Sequence, residues 1–221
     1  MKHSISVDGF GFRLRPVSVE DAAFIVQLRT QPRVVGTVGD TSKDVEAQRQ
    51  WIARYFDRSC DYYFVVEVAG RPVGTISLYD VADGSAEWGR WIIEEGVLGA
   101  LPSAILVHDL AFDVLGLREL RGRVVPTNKR VISFHRRFGA EEAGVQKNGA
   151  CIGGVWVDMV CFRMTRQRWP QARKHLEPAA IVAAASLTQK FQNVESAHPT
   201  SPTGSTPSDG SPVSTNAEGE L

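Results

Sequence analysis

The chain has 221 residues, 43% of them hydrophobic and 23% charged, and its 25 basic and 25 acidic side chains cancel to zero formal charge. That length suits one ordinary domain with an appendage, and the neutral balance excludes bulk attraction to nucleic acid or to an anionic membrane. The opening MKHSISVDGFGF lacks an apolar run, and no stretch approaches the roughly 18 apolar residues of a membrane span. Three widely spaced cysteines without a CxxC pair suit a reducing compartment, so the expectation is a cytoplasmic protein.

Phe10–Pro16 alternates and predicts a strand. Ser18 opens a capping-box pattern with Asp21 in place of the usual Glu or Gln, which predicts a helix over 19–30 that stops before Pro32. A second helix is predicted over 43–58, with Val45, Ile52, Tyr55 and Phe56 on its apolar side. Tyr62–Val68 and Val73–Val81 form a predicted hairpin around Ala69-Gly70-Arg71-Pro72, and Asp83-Gly84 turns into a third strand, Ser85–Ile93. A long apolar helix at 101–115 ends at Gly116. A strand at 119–125, a helix at 128–138 stopped by Gly139, and strands at 141–147 and 154–164 complete the pattern.

The order β-α-α-β-β-β-α-β-α-β-β predicts an α/β layer architecture with a mixed, mostly antiparallel sheet of about six to seven strands and helices on both faces. The long helix is expected to cross back over the sheet between two parallel strands. This domain spans residues 1–172. Residues 173–192 read as a short helix (176–191) or a linker. From 193 to 221 the chain is rich in Ser, Thr, Pro and Gly and nearly free of large apolar side chains, and a disordered tail is expected there.

The element order and particular residues resemble the GNAT superfamily of N-acetyltransferases over about residues 10–166, most specifically from Glu87 to Gly139. Gly74 in GRPVGTI falls at a recurring family position in the hairpin. The resemblance implies that the end of SAEWGRWII is a splayed edge whose backbone at Trp91, Ile92 and Ile93 pairs with the pantetheine of acetyl-CoA. It further implies that Gly96, Gly99, Ala100 and Ser103 lead into a helix whose amides hold the pyrophosphate, as exposed N–H groups and a helix dipole can do without a cation. No register of EEGVLGALP satisfies the family loop Q/R-x-x-G-x-G/A fully, and Glu94 and Glu95 stand where a basic or neutral residue is common. The segment from Asn128 to Gly139 is similar to the family pattern N-x-x-A-x-x-x-Y-x-x-x-G-F, with Asn128 meeting the pantetheine and His135 at the Tyr position.

That position implies a proton donor for the departing thiolate, and imidazole can fill the role. The alternative is a core histidine, since Val131, Phe134, His135 and Phe138 form one stripe. Glu87, on the central strand, stands at a recurrent position for the general base; its alternative is a sheet glutamate paired with Arg90 or another cation. Cys60, Cys151 and Cys161 have no neighbouring His or Lys, so direct transfer is expected rather than an acyl-enzyme. The five isolated histidines suggest no metal site.

For the acceptor, the resemblance is to acetyltransferases of sugar-nucleotide pathways, among them a group that acetylates the 4-amino group of a UDP-linked dideoxy sugar in pseudaminic acid synthesis. It implies a small amine, a nucleotide-linked amino sugar, as the partner. Arg29 would meet the acceptor's phosphates or brace its helix, and Trp88, Trp91, Tyr63 and Tyr79 would stack on a ring or fill the core. Two other readings remain: a protein N-terminal acetyltransferase of the ribosomal-protein type, and a degenerate GNAT-like module that binds without catalysis. A homodimer is left open.

Overall fold

A computed structural model describes residues 2–39 and 41–196, with side chains through 187. Its strands are β1 (Val7–Gly9), β2 (Phe12–Pro16), β3 (Tyr62–Val68), β4 (Arg71–Ala82), β5 (Ser85–Ile93), β6 (Glu119–Val124), β7 (Glu141–Ile152) and β8 (Val155–Thr165). Its helices are α1 (Ala22–Arg29), α2 (Val45–Phe56), α3 (Ala100–Asp109), α4 (Lys129–Arg137) and α5 (Trp169–Ser196). A 3₁₀ turn at Val19–Asp21 leads into α1, and a π turn at Leu110–Val114 extends α3.

The eight strands form one sheet in the order β1-β2-β3-β4-β5-β6-β8-β7. Every pairing is antiparallel except β5 with β6, which α3 connects as a crossover. The strand at the N-terminus differs from the expectation. Phe10 and Gly11 have φ of 54° and 71°, so they form a two-residue turn and split off β1 as a separate edge strand. Two successive positive φ values match the right-handed twist of a tight hairpin, but a phenylalanine there gives no compositional sign of it.

Alternation along β3 divides the molecule into two layers. Tyr63 and Val65 face α1 and α2, where they pack with Val17, Ala22, Ile25, Ile52 and Tyr55. Phe64, Val66 and Val68 face α3 on the other side. Residues Pro102 to His108 of α3 are all buried. A helix apolar all round needs cover on its outer side too, and α5 provides it through Trp169, Leu176, Ala180 and Leu187. Asp109 ties the two together, accepting from Trp169 Nε1 at 2.9 Å and Arg173 Nε at 3.0 Å. Helix α5 is longer than the segment 176–191 expected, and it carries Pro178 in its interior. Its last turn takes in residues 193–196, and the remainder of the expected tail, 197–221, lies outside the described residues. Among the described residues no helix is long and apolar enough to cross a membrane.

The feature that opens a site is a splay. Strand β5 pairs with β6 only from Ser85 to Glu87, opposite Glu119 to Arg121. Beyond Glu87 the two strands part: β5 stays with β4 to Ile93, while β6 stays with β8 to Val124. The β4–β5 register slips between Thr75 and Ser77, opposite Gly89 to Ile92, and Arg90 there has φ 47°. An extra residue in one strand bends it and raises its twist, which carries the end of β5 away from β6.

Gly74 sits at this bend, and a Cβ there would lie 2.5 Å from the Ile92 carbonyl oxygen and 2.6 Å from Ile93 Cδ1. Backbone cannot move aside cheaply, so Gly74→Ala is expected to lose about 2 kcal/mol of stability. Urea denaturation checks this; an unchanged midpoint would show that β4 and β5 are not this close.

Candidate active site

A cleft of about 770 Å³ opens between the α1–α2 layer, the splay, α4 and the β7–β8 hairpin. On its α1–α2 face, register sets Glu87 opposite Tyr79 on β4. Tyr79 Oη donates to Glu87 Oε1 at 2.5 Å, and Arg123 Nε of β6 stands 2.7 Å from Glu87 Oε2. Burial, then the negative charge of Glu87, push the Tyr79 phenol far above its usual range, so it remains a donor. Glu87 is 8% exposed. Its cation is therefore Arg123. Arg90 instead holds Asp61 with both terminal nitrogens at 2.7 and 2.9 Å, a bidentate ion pair. The Arg90 guanidinium also lies 4.7 Å from the Tyr79 ring centroid and 5.5 Å from that of Trp51. Tyr79 is thus engaged at its hydroxyl by Glu87 and on one face by Arg90, and it lines the cleft.

The other face of β5 is packed core. Trp88 is 5% exposed, with ring centroids 5.1 Å from His108, 5.0 Å from His135 and 5.2 Å from Trp91. Of the two expectations for Trp88, its packing is that of a core side chain: it alternates onto the α3 side, while still bordering the cleft. His135 lies parallel to Phe162 at 4.5 Å and against Gly122, where a Cβ would come within 2.8 Å of its Cε1. Among the described residues its Nδ1 is buried without a hydrogen-bond partner. Burial depresses its pKa to about 4, so near pH 7 the ring is neutral. The imidazolium that would protonate a thiolate is therefore scarce, and the packing is that of a core histidine at the edge of the cleft.

The arm of the splay shows which of the expected donor contacts come together. Trp91, Ile92, Ile93, Ala100 and Asn128 line the cleft; Gly96, Gly99 and Ser103 do not. Ser103 Oγ is buried, donates to the Gly99 carbonyl at 2.7 Å and lies 3.1 Å from the Trp91 indole nitrogen as its acceptor. Gly99 is the N-cap of α3, and its missing Cβ faces the Phe12 ring at 2.9 Å, so packing by itself favours glycine there. Gly96, with φ 78°, serves the turn that leaves β5. Glu94 is paired with Arg71 at 2.7 Å and is thereby neutralised. Asn128 caps α4, its Oδ1 accepting from the Val131 amide at 3.2 Å, which leaves its side-chain NH₂ as a donor.

Arg29, at the end of α1, donates through Nε to Thr41 Oγ1 at 2.5 Å and through Nη2 to the Gly39 carbonyl at 2.8 Å. It braces the segment entering α2 while still lining the cleft. The residues that sequence reasoning missed are mostly arginines: Arg33, Arg54, Arg123 and Arg130 also line it, with Trp51 of α2. A period-two reading of ELRGRVV puts Arg121 and Arg123 on the face of Glu87, and that was the available signal for the ion pair.

The family profile described as "Acetyltransferase (GNAT) domain" matches residues 12–141. No curated protein sequence matches significantly. Among solved structures, one described as apo FdhC, a nucleotide-linked sugar GNAT, is 25% identical, with a TM-score of 0.66 over 78% of this chain and 97% of its own. RimJ of Mycobacterium smegmatis, in complex with CoA-disulfide, is 23% identical with a TM-score of 0.68, covering 80% of this chain and 95% of its own. A mutant of the spermidine N-acetyltransferase SpeG from Vibrio cholerae is 19% identical with a TM-score of 0.63, covering 73% and 97%. With the profile spanning more than half of its length and the splayed sheet in place, the chain belongs to the GNAT family and is an N-acetyltransferase.

Proposed function

We propose that the chain transfers an acetyl group from acetyl-CoA directly to the amine of a small anionic acceptor, a nucleotide-linked amino sugar. One observation carries this reading: the α1–α2 side of the cleft presents Arg29 and Arg54, neither of them paired with a carboxylate among the described residues, and Glu87 is the one carboxylate among the described lining residues. A wall of that sign attracts phosphate and disfavours a polycation such as a polyamine. The Trp51 ring beside Arg90 adds an aromatic surface of the kind that bases and sugars stack upon. The 25% identical nucleotide-linked sugar GNAT has the same overall build.

In the reaction the neutral amine attacks the thioester carbonyl, a C–N bond forms, and the C–S bond breaks as thiolate leaves. Attack turns the nitrogen cationic and its proton strongly acidic. A carboxylate already held by Arg123 and Tyr79 is then a sufficient acceptor for it, and Glu87 keeps unused lone pairs on both oxygens. The thiolate, near pKa 8.5 in the free thiol, takes its proton from water, so the neutral His135 is not required as the acid. Hydrogen bonding by Asn128 and the backbone of the β5 arm would orient the donor.

The test is a panel of amines at fixed acetyl-CoA: UDP- and dTDP-linked amino sugars, short peptides with free N-termini, and spermidine. The sugar nucleotides are expected to exceed the others in kcat/KM by about a hundredfold. Acetylation confined to peptides or spermidine would remove the sugar assignment.

A further inference from the structure

The loop that the family uses for the pyrophosphate is poorly equipped here. It supplies backbone amides at the start of α3, but Ser103 and the Cβ side of Gly99 face inward, and Glu94 brings an acid that Arg71 has to neutralise. CoA carries a diphosphate and a 3′-phosphate, so its site has several negative charges to balance. Cations elsewhere in the cleft would add to what those amides supply.

Two arginines stand at the right end of it. Arg33, just after α1, donates through Nη2 to the carbonyl of Ile93 at 2.6 Å. Ile93 is the last residue of β5, where the splayed strand runs into the loop before α3. Arg130 is in the first turn of α4, two residues past Asn128, on the opposite wall of the splay. Both are exposed and both line the cleft. Neither is within ion-pair distance of a carboxylate among the described residues, whereas Arg90 and Arg123 are each neutralised by one.

We propose that Arg33 and Arg130 form a cationic seat for the phosphates of CoA, supplying from the α1 side and from α4 the charge that the loop before α3 lacks. This rests on acetyl-CoA being the donor. The guanidinium of Arg33 is anchored by the Ile93 carbonyl through one terminal nitrogen, and its remaining N–H groups are free to bind phosphate oxygens. The seat also fixes the direction of the donor, with its phosphates at the Ile93 end and its thioester towards Glu87, where β5 and β6 separate.

Comparison of acetyl-CoA with S-acetylpantetheine, which carries the same thioester and no phosphate, isolates this contribution. Arg33→Glu and Arg130→Glu are each expected to lower kcat/KM for acetyl-CoA by about thirtyfold, mainly through KM, and the Lys variants to recover most of the loss. With S-acetylpantetheine both Glu variants should stay within about twofold of wild type. Inhibition by adenosine 3′,5′-bisphosphate, competitive with acetyl-CoA, should weaken in parallel. Equal losses with both thioesters would show a structural role and overturn the proposal, as would unchanged kinetics with acetyl-CoA. A wild-type protein that bound no acetyl-CoA would instead overturn the donor assignment itself, so the two failures are distinguishable.

Discussion

Glu87→Gln lowers kcat by about a hundredfold and leaves KM for acetyl-CoA within about twofold. The substitution keeps the shape of the side chain and an oxygen for the Tyr79 hydroxyl, but it removes the group that accepts the amine proton. It also turns an NH₂ or an uncharged oxygen toward Arg123, whose partner at 2.7 Å is lost. Two readouts separate these consequences. Loss of a proton acceptor lowers kcat while leaving KM for acetyl-CoA and thermal stability nearly intact. Loss of scaffold lowers the melting temperature and raises KM along with the fall in kcat. A folded variant with kcat within threefold of wild type would take Glu87 out of the reaction.

Acidification from pH 6.5 to 4 is expected to destabilise the protein by several kcal/mol, beyond the contribution of its carboxylates. His108 and His135 are buried, and burial lowers their pKa values to about 3 and about 4 from the ordinary 6.5. A hydrogen bond from its Nδ1–H to the Ala104 carbonyl opposes this at His108 without reversing it. In the unfolded chain both rings take up a proton near pH 6.5, while in the folded chain they resist until about pH 4 or below. Between those values the unfolded state binds more protons, so stability falls as pH falls. At 1.36 kcal/mol per unit, each ring costs the fold about 3 kcal/mol by pH 4, and a typical domain has only about 5–15 kcal/mol in all. His3 is also depressed, to about 4, by desolvation and by Lys2, and adds in the same direction. Urea midpoints from pH 7 to 4 check this, with His135→Phe giving a visibly flatter profile than wild type. The same variant should keep kcat within about threefold at pH 7, because the ring it replaces carries no proton to give. Parallel stability profiles would mean that His135 is solvated, and a hundredfold loss of kcat would restore it as the acid.

The parts of the fold set by local pattern were readable in the sequence. The crossover between parallel strands followed from a long apolar helix between two strand patterns, and β5 and β6 are paired in parallel around it. Features set by a single backbone angle were not: neither the Phe10-Gly11 turn nor the bulge at Arg90 leaves a compositional trace. Helix α5 begins at Trp169, ahead of the expected 176–191, where Trp169 and Arg173 hold it on Asp109, a tertiary contact that local pattern does not show. In the site, resemblance brings Glu87 to the cleft, while its partner, Arg90 or another cation from the sequence alone, is settled by a neighbour in space. Arg90 is three residues away along the chain, yet the bulge turns it to Asp61, and Arg123 reaches Glu87 from the adjacent strand. Gly99 and Ser103, expected at the pyrophosphate loop, also have structural partners that loop position does not reveal. Packing against Phe12 and a bond to the Gly99 carbonyl account for those residues without a ligand.

The splay between β5 and β6 matters only if it holds the thioester donor. Calorimetric titration of the wild-type protein with acetyl-CoA tests that most directly. One molecule per chain is expected, with Kd of about 50 micromolar or tighter, in the range usual for enzyme substrates. No detectable heat or displacement up to about 1 millimolar acetyl-CoA, well above that range, would contradict the account.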